Sequence, residues 1–160
     1  MRDNVQLYGV LYRPSTGNRF PTLLIRSIYG TQFPRYVEWA ERFAKHGYAV
    51  VMQDSRGRYE SDGKFDPYVC EINDGYDTQT WVSKQSWCDG NIGLFGVSYP
   101  GFQQILPAPF RCPAVKAMVP IAHQEDNYGH HRWDGVLQIQ NAMHWLWIGD
   151  RITQDAHEVH

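Results

Sequence analysis

The chain has 160 residues, with 15 Lys plus Arg against 17 Asp plus Glu and a formal net charge of −2. That length fits one domain of ordinary size, which can bury roughly 70% of its unfolded surface without disulfides or metals. The charge leaves no basic surplus to hold a phosphate backbone, and no apolar run approaches the ~20 residues of a membrane span; neither nucleic acid nor membrane is an expected partner. The opening Met1-Arg2-Asp3-Asn4 lacks the apolar stretch of a secretory signal. Cys70, Cys88 and Cys112 make an odd count without a CxxC pair, which argues against a disulfide framework and fits a reducing, cytoplasmic setting.

Residues 5–12 alternate through Val5, Leu7 and Leu11 and stop at Arg13-Pro14, as a strand would. Residues 22–27 are a nearly continuous apolar run, the mark of a strand covered on both faces. A helix is predicted over 37–46, with Val37, Ala40, Phe43 and Ala44 on one stripe and Gly47 as its stop. Residues 48–52 form a second buried strand, and 55–63 a loop rich in Gly, Ser and charge. A second helix is predicted over 73–85, capped by Asn73 or Asp74, with Trp81 and Val82 turned inward. Residues 91–95 and 115–121 complete the set of buried strands. Strands separated by helices indicate a doubly wound, mostly parallel α/β sheet. From His123 onward the chain turns His- and Trp-rich, and 135–149 has a helical rhythm through Val136, Ile139, Met143 and Leu146. Residues 1–122 are therefore read as a sheet core and 123–160 as a different layer.

Ser98 directly follows a buried strand and precedes Pro100-Gly101, where a helix can start. A tight strand-to-helix turn thrusts a hydroxyl out of the chain in a strained conformation. Gly96 fills the upstream position of a G-x-S-x-G turn, but Pro100 stands where the second glycine belongs. Proline at a first helical turn is tolerated because its missing N–H has no helical partner anyway. The backbone N–H of Tyr99 is then the natural first donor to an oxyanion. Spacing alone leaves Ser98 either a nucleophile or an ordinary turn serine. The helix behind it has to end or kink near Leu106, because Pro107 breaks the helical ladder.

The segments Gln53-Asp54-Ser55-Arg56-Gly57, Ser61-Asp62-Gly63 and Trp87 through Tyr99 resemble the cocaine-esterase and X-Pro dipeptidyl-peptidase group of α/β hydrolases. Met1 to Leu7, Leu11-Tyr12-Arg13-Pro14 and Ile28-Tyr29-Gly30 are similar to the same group, whose serine motif G-x-S-Y-x-G accounts for Gly101. The resemblance implies an incomplete α/β-hydrolase core over 1–122 and the beginning of a helical cap over 123–160. It implies an acyl hydrolase acting on a small ester or a short peptide through an acyl-enzyme, with no cofactor and no metal. Ser98 is the implied nucleophile, with the Tyr29 hydroxyl and the Tyr99 amide as oxyanion donors. Asp54 and Arg56 read as an ion pair or loop anchor, and Cys88 as a small buried hydrophobe.

A serine needs a base, and the base needs an orienting carboxylate; in α/β hydrolases both follow the serine on loops after later strands. Downstream of Ser98 the acids are Glu125, Asp126, Asp134, Asp150 and Asp155, and the histidines are His123, His130, His131, His144, His157 and His160. Only His123 follows a strand-like run. The resemblance puts the acid and histidine in later segments, so the chain is expected to be a fragment holding the nucleophile and oxyanion hole. The alternative is a catalytically silent α/β remnant acting as a binding or assembly module. A metal module built on His130, His131, His144, His157, Glu158 and His160 ranks below both, for want of HExxH-type spacing. Trp133, Trp145 and Trp147 suit a core stripe or an acyl pocket. An uncovered edge on the 115–121 strand is expected to promote self-association.

Overall fold

The apolar run at 22–27 lies within a longer strand, β2 (Phe20–Ser27), and the next run becomes β3 (Ala49–Asp54). A computed structural model describes residues 1–123, 132–140 and 142–143, divided into two compact units, Met1–Ala122 and His123–His160. In the first unit β1 is Gly9–Tyr12, β4 is Cys88–Val97 and β5 is Val115–Ile121. The sheet order is β1-β3-β2-β4-β5; β1 is antiparallel to β3 and all other neighbours are parallel. Helices α1 (Pro34–Lys45), α2 (Val69–Ser83) and α3 (Tyr99–Ile105) join the successive parallel strands. This is the mostly parallel, doubly wound α/β sheet that the strand and helix pattern predicts.

Adjacent residues of the central strands feed different clusters. Leu24 and Val51 join Val82, Ile92 and Leu94, whereas Ile25 and Val50 join Tyr36, Ala40 and Met52. Burial on both faces is why these strands read as unbroken apolar runs rather than alternating ones.

Several boundaries differ from the sequence pattern. The segment 5–8 lies outside β1, and α2 begins four residues earlier than the predicted start at 73. Neither Asn73 nor Asp74 caps it; the N-cap is Tyr68, at φ 67°, with no side-chain cap. The buried face of α2 is polar (Glu71, Asp74, Thr78 and Gln79), so apolar periodicity cannot reveal its first turns. Trp81 is 54% exposed, not turned inward, while Val82 is buried as predicted. β5 has the predicted limits but is only half covered, with Val119 and Ile121 exposed. α3 stops at Ile105, and Pro107 opens a 3-10 turn at Ala108–Phe110.

In the second unit β6 (Arg132–Trp133) pairs antiparallel with β7 (Val136–Leu137). Asp134 and Gly135 join them at φ 48° and 82°, the positive dihedrals of a two-residue turn that suits Asp-Gly. Val136 is thus in a strand, not in the helix its spacing suggested. His130, His131, His144, Trp145, Trp147, His157, Glu158, His160, Glu125, Asp126, Asp150 and Asp155 lie outside the described residues. No helix among the described residues is long and apolar enough to cross a membrane.

Candidate active site

The chain leaves β2 for β3 on one side, then returns across the sheet to β4 and moves outward to β5. The order therefore reverses between β2 and β4, and ligands of such sheets bind beyond the carboxyl ends of strands at this switch. β2 and β4 are parallel neighbours with Leu24 opposite Leu94. Tyr29 lies five residues past Leu24 and Ser98 four past Leu94, so the register alone brings them to one place. The Tyr29 hydroxyl is 3.5 Å from Ser98 Oγ. That is long for two hydroxyls, so neither is committed to the other.

Ser98 adopts φ 64° and ψ −125°, a region that side-chain-bearing residues rarely occupy. Its N–H donates to the Ile121 carbonyl at 2.8 Å, and its carbonyl accepts from Gly101 at 2.7 Å. The turn is therefore held from both sides. A Cβ on Gly96 would lie 2.5 Å from Pro100 Cβ and 2.8 Å from the Pro100 carbonyl oxygen. Pro100 thus takes the place of the second glycine by packing directly on the first.

Tyr99 opens α3, where no carbonyl four residues back is available to its amide. Its side chain turns inward: the ring is 2% exposed, its hydroxyl accepts from the Tyr68 amide at 2.9 Å, and burial pushes the phenol up. The phenol is thereby removed from the Ser98 turn and only the amide is left on that side. α3 spans seven residues, so its dipole adds little. Tyr29 is carried on the turn after β2, where its amide donates to Ser27 Oγ at 2.9 Å.

Below the site, Arg26 and Glu71 stand 2.9 Å apart with side chains 3% and 2% exposed. The contact is close but poorly aligned, leaving Arg26 Nη2 and Glu71 Oε2 without directed hydrogen bonds. Gln53 Oε1 accepts from both Arg26 Nε and Thr78 Oγ1 at 2.9 Å. Arg56 reaches Asp74 at 2.6 Å and Asp3 at 2.7 Å, which raises its own pKa and holds Asp3 down at about 2. Arg56 is a loop anchor, as expected, but its partner is not Asp54. Cys88 is fully buried.

Asp54 ends β3 with 1% exposure, and neither carboxyl oxygen closes a well-formed hydrogen bond with any of the described residues. Burial lifts its pKa from 3.8 to about 7, only partly opposed by the Thr31 and Glu60 amides, which approach without closing well-formed bonds. The folded chain thus keeps a proton that the unfolded chain releases. Stability from this group is full below pH 3.8 and is lost as pH rises to about 7. Asp54→Asn is expected to remove that loss. Urea denaturation should show the variant more stable by roughly 2–4 kcal/mol at about pH 8, with little difference at about pH 4.

Residues 3–158 match the X-Pro dipeptidyl-peptidase (S15 family) sequence profile. The chain belongs to that family. It is 38% identical over 156 residues to a cocaine esterase of Rhodococcus sp. (strain MB1 Bresler), covering 91% of this chain and 26% of that protein. A CocE/NonD family hydrolase from Staphylococcus aureus superposes with a TM-score of 0.73 at 30% identity, over 80% of this chain and 27% of that one. An α-amino acid ester hydrolase superposes with a TM-score of 0.72 at 27% identity, over 83% and 25% of the two chains. The chain spans about a quarter of the length of the curated relatives it matches first. These neighbours place the sheet among α/β hydrolases of this family.

Proposed function

We propose that this chain carries the nucleophile and oxyanion hole of a serine acyl hydrolase acting on a small ester or short peptide. The observation that carries the reading is the convergence of the strained Ser98 turn with the Tyr29 hydroxyl at 3.5 Å. Ser98 Oγ attacks the substrate carbonyl carbon, and the carbonyl oxygen takes up the charge of a tetrahedral intermediate. The Tyr29 hydroxyl and the Tyr99 amide donate to that oxygen. Expulsion of the alcohol or amine leaves an acyl-Ser98, which water then hydrolyses. A general base and its orienting carboxylate complete the chemistry; in this fold class they follow the serine on loops beyond later strands. Residues 123–160 are read as the beginning of the helical cap that the family resemblance implies. Three free cysteines, two of them buried, suit a cytoplasmic setting.

The test is covalent labelling with a fluorophosphonate. Labelling at Ser98, absent in Ser98→Ala, is the expected result. A folded chain that resists labelling instead favours a silent α/β module that binds or assembles without chemistry. Ester turnover by the 160 residues alone is expected not to exceed the Ser98→Ala control, and turnover above it would reveal a base within them.

The edge of β5 is the second property to measure. Among the described residues no strand pairs with its outer side, and Val119 and Ile121 are 46% and 40% exposed there. An unpaired apolar edge is a template for another strand. Sedimentation is expected to show concentration-dependent association, and a monodisperse monomer would refute it.

A further inference from the structure

The pairing of β2 with β4 ends at Leu24 and Leu94, so Tyr29 and Ser98 both lie beyond the last paired residues. The register brings them to one place without fixing the distance between them. Tyr29 is tied locally, its amide donating to Ser27 Oγ, and its hydroxyl stands 3.5 Å from Ser98 Oγ, too long to hold either group. A third element has to set that spacing. α1 begins at Pro34, and Tyr36 in its first turn is 2% exposed. The Tyr36 hydroxyl donates to the carbonyl of Val97, the residue before Ser98, at 3.2 Å.

We propose that Tyr36 is a positioning residue, whose hydroxyl on Val97 and ring beside Phe33 hold the Tyr29 hydroxyl at its distance from the Ser98 turn. The Val97 carbonyl and the Ser98 N–H are the two ends of one planar peptide. Tyr36 of α1 takes its oxygen, and the Ile121 carbonyl of β5 accepts from its N–H at 2.8 Å. The peptide that leads into the strained φ of 64° at Ser98 is thus pinned from both sides of β4.

The same side chain reaches back to Tyr29. The turn that carries Tyr29 is fastened to the start of α1: the Phe33 amide donates to the Gly30 carbonyl at 3.2 Å, and the Tyr36 amide to the Phe33 carbonyl at 2.9 Å. Rings follow the same path, with centroids 5.9 Å apart from Tyr29 to Phe33, 5.3 Å from Phe33 to Tyr36 and 5.5 Å from Tyr36 to Trp39. Trp39 then meets Phe95 edge-on at 5.0 Å, and Phe95 lies on β4 two residues before Val97. The path from Tyr29 therefore returns to the nucleophile strand twice, through rings and through the Tyr36 hydroxyl. That hydroxyl bond is long for an oxygen donor, so the ring contacts share the constraint. Burial pushes the Tyr36 phenol upward, and the neighbouring Tyr29 phenol adds to the rise, so the group stays a donor throughout the neutral range.

That the spacing serves catalysis rests on the hydrolase reading; the spacing itself does not. The experiment follows two quantities in the 160-residue chain: the rate at which a fluorophosphonate labels Ser98, and the NMR cross-peak between the Tyr29 ring and the Ser98 β-protons. Tyr36→Phe, which keeps the ring and removes one hydroxyl, should slow labelling by about tenfold and weaken the cross-peak. Tyr29→Phe, which removes an oxyanion donor, should slow labelling by roughly a hundredfold. Because Tyr36 acts through Tyr29, the double variant should label no more slowly than Tyr29→Phe alone. Val82→Ala is the control for a merely structural effect: Val82 is fully buried on α2, so the variant should be less stable in urea yet keep the parent's rate and cross-peak. Labelling of Tyr36→Phe at the parent's rate, a double variant slowed by the product of the two single factors, or an unchanged cross-peak would each overturn the proposal. A parent that is not labelled, with a cross-peak that still weakens in Tyr36→Phe, would refute the hydrolase reading and leave the positioning role standing.

Discussion

Glu71→Ala is expected to lower the unfolding free energy by roughly 3–5 kcal/mol, the usual cost of breaking a buried ion pair by removing one partner. Arg26 lies on β2 with its side chain 3% exposed, and Glu71 is its acidic partner at 2.9 Å. Without Glu71 the guanidinium keeps its bond to Gln53 Oε1 but loses its counter-charge in a region closed to water. Gln53 is tied in turn to Thr78, so the loss spreads along the α2 face. Urea denaturation gives the measurement. Replacing both partners together, as Arg26→Met with Glu71→Leu, should cost much less, because no charge is then stranded. A Glu71→Ala loss below about 1 kcal/mol would mean that water reaches Arg26.

Gly96→Ala ranks beside it, at roughly 3 kcal/mol. The new methyl would overlap the Pro100 ring and carbonyl at 2.5 and 2.8 Å, and neither is the far end of a flexible side chain. Relief requires moving the first turn of α3 or the end of β4, the two elements that hold the Ser98 turn. Gly90→Ala is the useful control. A Cβ there meets nothing within 4 Å, although its φ of 96° carries a backbone penalty of its own. A Gly96→Ala variant as stable as the parent would show that the turn is looser than its contacts indicate.

The central strands were legible because burial on both faces leaves little choice but apolar residues. Ile25 and Val50 face one cluster, Leu24 and Val51 the other, and the run of hydrophobics is the record of both. α2 is legible from residue 73 onward but not in its first turn, since the face it buries is made of Glu71, Asp74 and Thr78. Trp81 misleads for the converse reason: its size suggests the core, but it falls on the outer side of the helix. The Ser98 turn was readable from Gly96 and the strand before it. Its meeting with Tyr29 was not, because 69 residues separate them and only the pairing of β2 with β4 brings them together. Beside Arg56 in the sequence, Asp54 suggests a salt bridge, whereas the fold sends Arg56 to Asp74 and Asp3 and sets Asp54 against the Thr31 and Glu60 amides. No pattern of residue types reports which acid an arginine reaches.

The backbone at residue 98 has a consequence for engineering this protein. Glycine would rest easily at φ 64° and ψ −125°, where serine does not. A library screened for heat tolerance alone would therefore favour discarding the side chain at this position. Thermal selection and preservation of that hydroxyl pull against one another here, and a stabilised variant has to draw its gains from elsewhere in the sheet.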